Sequence, residues 1–249
     1  MFGTLALDNS DLVILILICF FAGLIRGFSG FGLSAFVMSL ALTIIPPIEL
    51  IPVCWWMEFF ASVFMIKNGW KDSDKKISII LWLGAIFGLP MGIFLTTILD
   101  FQTSKIIALV LILILALILL KNFKIQFLST TAGTGFSGVC AGVATGLASI
   151  GGMVVATYVL ASQNSARRMR ASLVLYILLN SITTFIFLIL FDVMDQKAFM
   201  RGVLLAFPSS IGVVLGSILF MQKLEKYYHP FSLGLLISFS LVGLIRFIG

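Results

Sequence analysis

Long apolar runs alternate with short polar turns along the chain, and two of the runs are interrupted by small residues. The first, Leu12 to Ile45, is broken between Arg26 and Gly32; the second, Phe127 to Ser162, is broken at Gly-Leu-Ala-Ser-Ile-Gly-Gly, Gly146 to Gly152. As one helix rising about 1.5 Å per residue, the first run would reach roughly 50 Å, against an apolar bilayer core of about 30 Å. Split, it predicts two arms, Leu12 to Ile25 and Leu33 to Ile45, around a loop from Arg26 to Gly32 at membrane depth. Each arm is shorter than the roughly 20 residues of a spanning helix. Irregular backbone is tolerated there only when buried in protein or lining a polar cavity. The remaining runs, about Leu50 to Ile66, Ile77 to Leu99, Ile106 to Leu120, Ala171 to Phe191, Gly202 to Met221 and Pro230 to Ile248, predict unbroken helices. The expected order is a broken hairpin plus three helices, twice.

The halves also share glycine spacing. Gly23, Gly27 and Gly32 recur as Gly142, Gly146 and Gly151, Ser62 recurs as Ser181, and Gly84, Gly88 and Gly92 correspond to Pro208, Gly212 and Gly216. This order predicts an internal repeat, about 11–122 and about 127–249, within one transmembrane domain spanning 1–249. The Gly84, Gly88 and Gly92 series also reads as a small-residue helix-packing surface.

Composition changes the picture only by removing alternatives. With 61% hydrophobic and 10% charged residues and a mean hydropathy of +1.19, the chain is far more apolar than a soluble domain. The net charge of +6 comes from Lys and Arg in the turns, so it indicates topology rather than nucleic acid. Cys19, Cys54 and Cys140 are widely spaced inside apolar runs, which predicts buried side chains and no disulfide or metal framework. No basic residue precedes Arg26, so the first run is expected to be retained rather than cleaved as a signal.

Charge then orients the chain. With the N-terminus outside and each broken segment returning to its side of entry, Lys67, Lys71, Lys75, Lys76, Lys121, Lys124, Arg167, Arg168, Arg170, Lys223 and Lys226 lie inside. Only Lys105, Lys197, Arg201 and Arg246 lie outside. Both termini are then periplasmic and each half makes an odd number of crossings. The expected fold is therefore an all-α inner-membrane protein of two inverted repeats, as in secondary transporters with sites near the midplane.

The glycine-rich break followed by an apolar arm, its recurrence at Gly146 to Gly152, and the glycine series in the third helix of each half resemble the TauE/SafE sulfite exporter family. Where many members carry adjacent glycines, the first break here reads Gly-Phe-Ser-Gly-Phe-Gly. The resemblance covers nearly the whole chain. It implies transport of a small sulfur-containing anion (sulfite, thiosulfate or an organosulfonate), often with proton coupling.

Arg26 would be costly at a helix centre, so it should face a cavity or a partner. Its guanidinium suits a sulfonate, and equally it could tie the loop to carbonyls or to Glu58. Thr145 is its repeat counterpart. Half-helices starting near Leu33 and Met153 would aim their positive ends at the breaks, where Ser29, Ser34 and Ser149 offer hydroxyls or cap their own backbone. Gly30, Gly32, Gly151 and Gly152 allow close approach of backbone to a ligand or of one helix to another. Glu58, the only carboxylate deep in an apolar run, shares a face with Trp55 and Ser62. Burial penalises its charged form, so it reads as a proton-coupling group, as a static partner for Arg26 or as a protonated hydrogen-bonder. Asn180, in line with Tyr176 and Thr184, is a further polar candidate, with a helix contact as the other reading.

No cofactor or metal is expected, His229 reads as a solvated interfacial histidine, and a homodimer stays open. The partners expected are the small anion, protons and the lipid bilayer. An intramembrane enzyme would need clustered nucleophiles, bases or metal ligands that the sequence lacks, whereas an anion channel would use the same residues as a carrier.

Overall fold

The computed structural model describes residues 7–121, 130–161 and 166–220, together with 234, 237, 238 and 241. The last apolar run, His229 and the basic residues Lys124, Lys223, Lys226 and Arg246 lie outside the described residues, apart from those four positions. The elements in order are α1 (Asn9–Ser29), α2 (Leu33–Ala41), α3 (Pro47–Asp72), α4 (Lys75–Ile98), α5 (Phe101–Lys121), α6 (Thr131–Ala148), α7 (Gly151–Ala161), α8 (Ala166–Leu190) and α9 (Gln196–Phe220). No strand occurs among the described residues. Six of the helices, α1, α3, α4, α5, α8 and α9, are long and apolar enough to cross a membrane.

The first break is shorter than the spacing predicts. Helix α1 runs through Arg26 to Ser29 and is 21 residues long, so it matches the length of a spanning helix and Arg26 sits in its last turn rather than in a loop. Two glycines that look alike in sequence have different causes. Gly27 stays helical and lets α9 approach, because a Cβ there would collide with the Val213 carbonyl. Gly30, at φ 84°, takes the left-handed conformation that ends the helix, its N–H bonding the Arg26 carbonyl. Helix α2 ends sooner than expected, at Ala41, ahead of Pro46 and Pro47, where the ring of each proline disfavours helical backbone before it.

Close helix pairs follow the glycines. A Cβ on Gly23 would strike the Ser209 carbonyl, and one on Gly212 would strike that of Phe20, so α1 and α9 touch backbone to backbone. Gly84, Gly88 and Gly92 meet the backbone at Gly135, Val139 and Val143 in the same way, joining α4 to α6. At the centre α3 crosses α8. Trp55 Nε1 donates to the Ser181 carbonyl at 2.8 Å and its ring stacks on Phe185 at 4.7 Å. Seventeen residues along α3, Asp72 pairs with Arg167 at 2.7 Å, near the start of α8, so the two helices run in opposite directions. Arg168 and Asp74 add a second pair at that end, at 3.3 Å. At the other end, near the start of α3, Arg201 of α9 binds Glu49 at 2.6 Å.

Candidate functional site

The second break carries the local geometry that opens a site. Helix α6 stops at Ser149, which holds φ 57°, a left-handed conformation uncommon for a residue with a side chain. The Ser149 N–H donates to the Thr145 carbonyl at 2.7 Å and that of Ile150 to Ala144 at 3.2 Å, which satisfies the end of the helix. Helix α7 then starts against the preceding turns. A Cβ on Gly151 would collide with Thr145 Oγ1 and with the Ala141 carbonyl, so only glycine permits that approach. The Thr145 hydroxyl donates to Ala141 at 2.7 Å.

In front of this break lies a cavity of about 30 Å³, space for one or a few waters. Trp55 and Glu58 of α3 wall it on one side, Thr145, Ser149 and Gly152 on another, and Tyr176, Ile177, Asn180, Ser181 and Thr184 of α8 on a third. Glu58 and Tyr176 to Thr184 stand near the middle of their helices, midway between the two ends marked by ion pairs. Tyr176 is fully buried, and neither its hydroxyl nor Asn180 Oδ1 has a hydrogen-bond partner. Asn180 Nδ2 donates to Thr184 Oγ1 at 3.4 Å, within α8. Buried polar atoms left unpaired cost about 1–3 kcal/mol each, so a wall presenting two of them is suited to a polar guest. The N-terminus of α7 adds free N–H groups and the positive end of its dipole.

The first break is filled. Arg26 is 0% exposed; its Nε donates to Glu58 Oε2 at 2.8 Å and its Nη2 to Ser62 Oγ at 3.0 Å. The other carboxylate oxygen, Oε1, accepts from the Ser34 hydroxyl at 2.9 Å and from the Ser34 N–H at 3.3 Å. Ser34 is in the first turn of α2, so Glu58 supplies the anion that the start of this half-helix attracts. Ser29 closes on its own turn, donating to the Ile25 carbonyl at 2.8 Å and accepting from the Phe31 N–H at 3.0 Å. The Gly27 carbonyl accepts from Arg170 and from Ser217 Oγ at 3.1 Å, so the end of α1 is tied to both α8 and α9.

Residues 15–244 match the sulfite exporter TauE/SafE family. The chain belongs to that family. No curated protein and no solved structure matches it. Family membership and the six apolar helices make the protein a multi-pass membrane transporter and not an enzyme.

Of the residues singled out in the sequence, Glu58, Thr145, Ser149, Gly152 and Asn180 meet at the cavity of this TauE/SafE protein. Arg26 and Ser34 stand one step behind it, both on Glu58. Ser29, Gly30 and Gly32 shape the first break away from the cavity wall, and Gly151 packs beneath Thr145. Trp55, Tyr176, Ile177, Ser181 and Thr184 complete the wall without having been marked as site residues. The line Tyr176, Asn180, Thr184 was visible as a polar stripe, but a stripe does not say whether its face meets a helix or a space.

Proposed function

We propose that the protein carries a small sulfur-containing anion, such as sulfite, thiosulfate or an organosulfonate, across the inner membrane by alternating access, with Glu58 as the proton-coupling group. The observation that carries this reading is the cavity at the α3–α8 crossing, where the start of α7 and the unpartnered Tyr176 hydroxyl converge beside one carboxylate. An anion there would exchange its hydration for the N–H groups of Gly151 and Gly152 and for donors from Ser149, Tyr176 and Asn180. Arg26 sets the charge of the site through Glu58 rather than from the cavity wall.

An inverted repeat in one transmembrane domain would provide the two related halves that alternating access needs. The antiparallel crossing of α3 and α8, together with the reciprocal packing of α1 on α9 and α4 on α6, is the contact pattern such a repeat would make. The ion pairs at opposite ends also agree with the charge-based topology, which puts Asp72, Asp74 and Arg167 inside and Glu49 and Arg201 outside.

Flux into proteoliposomes tests the reading, with sulfite, thiosulfate, methanesulfonate and acetate offered with and without a pH gradient. Saturable uptake of a sulfur anion that follows an inward proton gradient is expected. Non-saturating conductance would make the protein a channel, and no flux of any sulfur anion would sink the proposal. Cysteine probes next to Asp8 and Glu49 should be labelled from outside intact cells, whereas labelling at Lys75 or Arg168 would overturn the orientation.

A further inference from the structure

We propose that Arg26 and Glu58 make the transported unit electroneutral, so that the site accepts one monovalent anion together with one proton carried on Glu58 and rejects dianions. This rests on the cavity being the anion site, and it narrows the substrate class to hydrogensulfite and alkanesulfonates, excluding sulfate and thiosulfate.

The argument is a charge count. Among the described residues lining the cavity, Glu58 is the only charged one, and the guanidinium 2.8 Å behind it is wholly buried. The other groups facing Glu58 are Ser34 from α2, Cys54 from α3 and, across the cavity, Thr145 from α6 and Tyr176 from α8. All of these are neutral in the physiological range. With Glu58 ionised, the site is therefore neutral, and the carboxylate in the cavity wall repels any arriving anion at low dielectric. Protonation reverses both terms. A hydronium ion on the open side gives up one O–H bond and leaves as water, its proton bonds to a carboxylate oxygen of Glu58, and the new O–H is a donor. The Arg26 charge is then uncompensated, its Nη1 having no hydrogen-bond partner, and a single negative charge in the cavity balances it. A dianion would leave one buried charge unmatched. On the far side the proton and the anion leave together, because losing either restores the cost of the other.

The repeat supports treating the two charges as one device. The second half holds Thr145 at the position of Arg26 and Ile177 at that of Glu58, so both charges are missing there together.

The test uses the full chain. Calorimetric titration with methanesulfonate, in buffers of different ionisation enthalpy, should show uptake of one proton per anion bound. Sulfate should compete at least about tenfold more weakly. In proteoliposomes, methanesulfonate uptake should be indifferent to a potassium diffusion potential set with valinomycin. Glu58→Gln should bind methanesulfonate without proton uptake and make its flux respond to that potential. If this variant does not fold, the wild-type proton count and potential test still decide. Binding with no proton uptake at any pH, uptake driven by potential, or equal competition by sulfate would each overturn this inference and leave the site standing. Failure of methanesulfonate, sulfite and thiosulfate alike to bind would overturn both.

Discussion

The two breaks are built alike in backbone and opposite in content. Each ends a helix on a left-handed residue, Gly30 at φ 84° in one and Ser149 at φ 57° in the other, before a short half-helix begins. At the first, the start of α2 already holds an anion, the Glu58 carboxylate, with Arg26 behind it. At the second, the start of α7 meets a cavity and a tyrosine hydroxyl without a partner. A helix N-terminus attracts negative charge in either case; what differs is whether the chain provides that charge itself. One break thus holds a permanent counterion and the other borders a polar cavity.

The largest way to break this comparison is to remove the built-in anion. Glu58→Ala leaves Arg26 buried and unpaired and should cost about 3–5 kcal/mol of stability, read as a fall in melting temperature in detergent. The double variant Arg26→Met, Glu58→Leu, which replaces the pair by apolar side chains of similar volume, should recover most of the loss. A double variant as unstable as the single one would mean that the pair is not a unit.

Removing the donor at the cavity is next. Tyr176→Phe deletes a hydroxyl that makes no well-formed hydrogen bond in the protein, Thr145 being its neighbour, so stability should hold while anion affinity falls by roughly 1.5–3 kcal/mol, the worth of a hydrogen bond to a charge. Unchanged affinity would take Tyr176 out of the site.

Adding one methyl group separates the two glycine breaks by mechanism. Gly151→Ala drives a Cβ into Thr145 Oγ1 and the Ala141 backbone, an overpacking cost of about 1–3 kcal/mol. Gly32→Ala meets nothing nearer than Ile25 Cγ2 at 3.6 Å and should lose only the roughly 1–2 kcal/mol of left-handed backbone at φ 89°. Partial relief by Thr145→Ala should appear for Gly151→Ala, whose clash with the Ala141 carbonyl remains, and none for Gly32→Ala.

The smallest expected effect runs the other way. Ser149→Gly makes the second break resemble the first and should stabilise the protein by up to about 1 kcal/mol by relieving its positive φ, while anion affinity falls if the hydroxyl is a donor. A loss of stability would show that the Ser149 side chain holds the turn.

Much of this was legible in the chain. The membrane-helical class, the two interruptions and the residues Glu58, Thr145, Ser149, Gly152 and Asn180 follow from apolar periodicity and from the cost of polar groups in hydrocarbon. The pairing of Arg26 was legible only as alternatives, because helical spacing says which residues share a face and not what that face meets. The start of the first break was misplaced for the same reason. Gly27 and Gly30 are chemically identical, and only the approach of α9 makes one a contact and the other a turn.

By itself, then, the sequence determined where the chain is apolar, where it breaks and which few polar groups sit deep within it, since these depend on composition and local spacing. Tertiary structure alone decided that Glu58 turns one oxygen to Arg26 and the other to Ser34, and that Tyr176 faces space. Both depend on helices far apart in the chain meeting at one crossing, where a single side chain fills one break and leaves the other open.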